Sequence, residues 1–136
     1  MWDEWKAAYL AHKLWNQDPR KMPADLIQKM AVNNNAALAR NVLGGVEVGV
    51  IQPGAAADLI LVDYHPFTAF TPGNMPWHIV FGFNESMITT TIVDGKILMK
   101  DHELITIDEE KIIAEAKSAS SIVWERYQEI MNREAL

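Results

Sequence analysis

Between Gly49 and Asp63 the chain reads Gly-Val-Ile-Gln-Pro-Gly-Ala-Ala-Ala-Asp-Leu-Ile-Leu-Val-Asp, a turn signal followed by an apolar run between two aspartates. Pro53-Gly54 fits the central positions of a type II turn, proline supplying a fixed φ and glycine the positive φ that follows. The apolar run Leu59 to Val62 predicts a strand buried on both faces. Asp58 accepts backbone hydrogen bonds where the chain turns into that strand, and Asp63 ends it. The two aspartates are not an acid and base pair, because five residues apart on a strand they point to opposite faces.

The chain before this run is helical. Trp2, Trp5, Ala8, Tyr9, His12 and Trp15 follow one helical face, while Ala7, Leu10, Ala11 and Leu14 make the other side apolar, so this helix expects cover on more than one face. A proline-bearing loop, Asn16 to Met22, leads to a second helix from Pro23 to about Met30. Asn33 or Asn34 caps a third, which Gly44-Gly45 stop with a left-handed C-cap. Val46, Val48 and Val50 then alternate as in a short extended segment.

After Asp63, the three prolines between His65 and Trp77 predict an irregular loop. His78 to Phe83 and Ile88 to Val93 are expected as strands from their β-branched and aromatic content. Asp94-Gly95 is a type I′ hairpin signal leading into Lys96 to Met99. A long helix closes the chain, from about Asp108 to Asn132, started by a Thr106/Glu109 capping box or by Asp108 as the rival cap. Ile112, Ala116, Ala119, Val123, Tyr127 and Ile130 form its apolar stripe. The order of elements describes an α+β chain.

Composition excludes several functions. A net charge of -6 with scattered basic residues disfavours a nucleic-acid partner. No stretch reaches the ~20 apolar residues of a membrane span, and Asp3 and Glu4 stand where a signal peptide would be basic. Without cysteine there are no disulfides, thiolate metal sites or cysteine nucleophiles, and a cytoplasmic setting is the compatible expectation.

Candidate chemistry is sparse. His12, His65, His78 and His102 have no neighbouring ligand at metal-binding spacing, so no zinc site is expected from this chain alone. Thr89-Thr90-Thr91 lacks an adjacent base, and Gly44, Gly45, Gly49 and Gly54 match no phosphate-cradling motif. Trp77, in a loop, is the tryptophan placed to border a substrate entrance. No catalytic, cofactor-binding or metal residue is assigned.

The run from Gly49 to Asp63 resembles the segment that leaves the barrel in metal-dependent amidohydrolases. Asn33 to Arg40 resembles the helix after the barrel, Ile92 to Met99 the late hairpin and Ile107 to Glu110 the start of the closing helix. Within the superfamily, Pro66 to Gly82 is most similar to the SsnA-type aminohydrolases, neighbours of the chlorohydrolases and guanine deaminases. The resemblance implies a (β/α)8 barrel with one or two divalent metals, zinc or iron, that activate water. It also implies a small β-sandwich domain built from both chain ends. Its His-x-His, later histidines and metal aspartate have no counterpart here. The expectation is a C-terminal fragment, inactive by itself. It would hold the last outer helices (1–45), half of the composite sandwich (46–105) and the closing helix (106–136), with the small-molecule substrate belonging to the parent enzyme. Surfaces exposed by truncation would then self-associate. The rival expectation is a stand-alone binding or scaffolding module.

Overall fold

The structure, a computed structural model, describes residues 1–134. The chain forms two compact units that divide after His102.

The first unit opens with helix α1 (Trp2–Asn16), which ends where Gln17 turns left-handed at φ 50°. The loop that follows is held from the helix side. Lys13 Nζ donates to the carbonyls of Pro19 at 2.6 Å and Lys21 at 2.5 Å, and lies 4.1 Å from the centre of the Tyr9 ring. In the same loop a hydrogen bond from Arg20 holds the Asp18 carboxyl below its ordinary pKa. That contribution to stability is present above the unfolded pKa and fades as pH falls through the lowered one.

Helices α2 (Ala24–Gln28) and α3 (Asn35–Val42) are joined by a π-helical turn, Lys29–Asn34. The expected break and cap at Asn33 or Asn34 is therefore absent. Asn34 has helical angles, φ -68° and ψ -39°, and makes no side-chain cap. The wider π turn carries the helical path through the three asparagines, and Asn35 Nδ2 donates back to the Ala31 carbonyl at 3.1 Å. The stop is as expected: Gly45 N donates to the Arg40 carbonyl at 2.8 Å, a Schellman closure. Val46 to Val50 forms no strand. That segment is tied down by Ala56 N, which donates to the Glu47 carbonyl at 2.8 Å.

The Pro53-Gly54 turn closes through Ala55 N to the Gln52 carbonyl at 3.2 Å, with Gly54 at φ 89°. A Cβ at Gly54 meets no atom within 4 Å, so a β-carbon there meets backbone strain and no crowding. Gly54→Val should cost about 1 kcal/mol or more in denaturant unfolding, and an unchanged midpoint would remove the turn's role.

Strands β1 (Leu59–Val62), β2 (Ile88–Val93) and β3 (Lys96–Lys100) pair antiparallel in that order, with Leu61 opposite Thr90 and Val93 opposite Lys96. Asp94 at φ 50° and Gly95 at φ 73° make the β2–β3 turn. Asp58 Oδ1 accepts from Asp94 N at 2.7 Å, and the Ala57 carbonyl accepts from Gly95 N at 3.1 Å. The entry to β1 and the hairpin turn thus hold one another, which accounts for both motifs. The expectation that β1 is buried on both faces is overturned. It lies at the edge of the sheet with Ile60 and Leu61 exposed.

The other correction is His78 to Phe83, which is not a strand. Met75–Gly82 forms helix α4. Pro76 suits the first helical turn, and Asn74 organises the approach, its Oδ1 accepting from Thr71 N at 2.8 Å and its Nδ2 donating to the Ala69 carbonyl at 2.7 Å. Packing on α1 and α2 buries Pro76 and Val80 and overrides the strand propensity of this sequence. The core joins Trp5, Met22, Ala24, Ile27 and Val80, with Tyr9, Val32 and Ile79 around it.

In the second unit, β4 (Glu103–Leu104) precedes helix α5 (Glu109–Glu134). Asp108 Oδ1 accepts from Lys111 N at 3.0 Å, so Asp108 caps the helix and no Thr106/Glu109 box forms among the hydrogen bonds of the described residues.

Candidate functional site

One polar pair in the first unit stands in an open groove. Tyr64 leaves β1 through Asp63, and His78 lies on α4; Tyr64 Oη is 2.6 Å from His78 Nδ1. Aromatic neighbours flank both rings, Phe83 tilted against Tyr64 at 4.6 Å between ring centres and Phe70 edge-on to His78 at 5.1 Å. Phe67, Trp77, Phe81 and Gly82 complete a groove of about 460 Å³. Trp77 and Phe81, one helical turn apart, are parallel within 6°, and Tyr9 meets both edge-on.

The pair ties the end of β1 to α4. It lacks the further parts of a catalytic relay, because no carboxylate contacts His78 among the described residues and the Tyr64 hydroxyl is already engaged. Trp77 borders this groove from helix α4 and not from the loop in which the sequence placed it. Residue spacing did not reveal the partnership of Tyr64 with His78, since it depends on α4 forming where a strand was expected.

The remaining histidines lie apart from this pair in their contacts. His65 Nε2 is 3.1 Å from Asp63 Oδ1, with both side chains mostly exposed, an arrangement of little energetic weight. The His12 carbonyl accepts from Asn16, and His102 N donates to the Thr89 carbonyl. Asp58 is occupied by the hairpin turn, Thr90 is buried in the sheet, and Thr89 Oγ1 donates to the Leu61 carbonyl at 3.4 Å. Among the described residues no group of three or more His, Asp or Glu side chains could hold a metal ion. A catalytic zinc site needs about three protein ligands, so the donor set of these residues does not fit one.

Residues 1–98 match the amidohydrolase family. The chain is 38% identical over 120 residues to a 5'-deoxyadenosine deaminase of Methanosarcina mazei, covering 88% of this chain and 27% of that protein. It is 39% identical over 117 residues to a 5-methylthioadenosine/S-adenosylhomocysteine deaminase of Dictyoglomus thermophilum, covering 86% of this chain and 26% of that protein. The chain thus spans about a quarter of the length of these curated relatives. Among solved structures, it is similar to a zinc-bound adenosine deaminase of Xanthomonas campestris, with a TM-score of 0.74 at 22% identity over 92% of this chain and 28% of that one. A zinc complex of atrazine chlorohydrolase from Arthrobacter aurescens matches with a TM-score of 0.61 at 21% identity, over 87% of this chain and 26% of that one. The coupled turns at Ala57-Asp58 and Asp94-Gly95 lie within the matched residues, and the chain belongs to the amidohydrolase family.

Proposed function

We propose that this chain is the non-catalytic C-terminal region of a metal-dependent aminohydrolase that hydrolyses a non-peptide carbon-nitrogen bond. The names of its relatives favour removal of an amino group from an adenosine-type nucleoside over the chlorohydrolase alternative. Membership of the SsnA-type aminohydrolases is the narrower form of the same reading. On this reading the zinc or iron and the substrate contacts belong to a barrel, with 1–45 its last outer helices, 46–105 a share of the sandwich and 106–136 the closing helix. The setting is cytoplasmic, and no helix of the described residues is long and apolar enough to cross a membrane.

The observation that carries the reading is the mismatch between a family-typical fold and its apolar surface. In the first unit Trp5, Ala8, Ile27, Met30 and Ala31 line an open apolar groove of about 550 Å³. Leu14, Trp15 and Ile51 are more than four-fifths exposed. Apolar area of this kind is suited to cover by further protein.

The coding sequence upstream of Met1 tests the proposal. An open frame encoding His-x-His and a barrel is expected, and the longer product should deaminate 5'-deoxyadenosine when supplied with zinc or iron. An in-frame stop would overturn the reading in favour of a stand-alone binding or scaffolding module.

A further inference from the structure

Helix α5 places Ile112, Ala116, Ala119, Val123, Tyr127 and Ile130 on one stripe, and its side chains from Glu109 to Arg133 are all exposed. Trp124 and Tyr127 meet edge to face at 5.6 Å, extending the apolar surface. An amphipathic helix takes most of its stability from covering such a face.

The charges beside the stripe indicate the partner. Asp108, Glu115, Arg126 and Arg133 are separated by seven, eleven and seven residues. At 3.6 residues per turn, Glu115, Arg126 and Arg133 lie within about 20° of one line along the helix, and Asp108, the N-cap, stands at the start of that line. Acids occupy the first half of this flank and bases the second. Lys111, 3.9 Å from Glu115, and Glu129 lie about 40° farther round.

An antiparallel copy brings the same flank against itself. With its twofold axis between Ser120 and Ser121, Asp108 faces Arg133 of the second copy and Glu115 faces its Arg126. Within one residue of that register Ile112 meets Ile130, and Ala119 meets Val123. A parallel pair would instead carry the flank toward Lys117, Trp124 and Met131 and lose the charge match.

We propose that α5 pairs antiparallel with α5 of a second copy of this chain, in the register that sets Asp108 against Arg133 and Glu115 against Arg126. The pairing goes beyond the enzymatic reading and does not depend on it.

The absence of cysteine allows a direct test in the full chain, since single-cysteine variants have no background thiol. Mixed I112C and I130C proteins in a glutathione buffer should form the mixed disulfide several-fold in excess of either self-linked dimer. An excess of I112C self-linked dimer would show parallel pairing and overturn the proposal. A monomer by light scattering at micromolar concentration would also overturn it, the stripe then being covered by its own chain or by another protein. R126E should weaken dimerisation about fivefold or more, and the swapped pair E115R/R126E should restore it. Equal affinity of R126E and the parent chain would overturn the register.

Discussion

Replacing Trp5 by alanine should lower the unfolding free energy by about 3–5 kcal/mol, the range for deleting a buried aromatic side chain. Trp5 is 7% exposed and packs in the cluster that joins α1 to α2 and α4 through Ile27, Ala24 and Val80. Its removal leaves a cavity at the junction of three helices, where neighbouring backbones cannot readily close in. Trp15 lies on the same helix at 89% exposure, and Trp15→Ala should change stability by no more than about 0.5 kcal/mol. Denaturant unfolding followed by circular dichroism compares the two. Equal effects would show that the assigned core does not hold the helices together.

Gly82→Ala should destabilise by about 1–3 kcal/mol through overpacking. A Cβ at Gly82 would fall 2.5 Å from Tyr64 Oη and 3.0 Å from its Cζ, so the tyrosine ring must move. That movement breaks the hydrogen bond to His78 Nδ1 and disturbs the ring's contact with Phe83. A double-mutant cycle distinguishes this from a general helix effect. Tyr64→Phe should cost about 1 kcal/mol in the parent chain, and markedly less once Gly82→Ala has already displaced the hydroxyl. Additive costs would mean that Tyr64 and Gly82 are not coupled.

The turns were the most legible part of the sequence, because their chemistry is local. Pro53-Gly54, Asp94-Gly95 and Gly44-Gly45 each demand backbone angles that few residues supply, and all three adopt them. The sequence points Asp58 to backbone hydrogen bonding, but its partner, Asp94 N, is 36 residues away. What failed depended on tertiary contact. The Ile-Val-Phe sequence of α4 has strand propensity and becomes helical against α1 and α2. Asn33 and Asn34 have the composition of a cap, yet the π turn keeps them inside a continuous helical path. The apolar run of β1 read as doubly buried, but it lies at a sheet edge with two of its four residues exposed. The Tyr64–His78 pair was hidden for the same reason, since it exists only once α4 is a helix.

These residues carry the fold of the family, and on the proposed reading they do so without its catalytic centre. Elemental analysis of the purified chain, loaded with zinc or iron and then dialysed, tests that claim most directly. Far less than one metal ion per chain is expected. Stoichiometric zinc or iron retained through dialysis would contradict the claim.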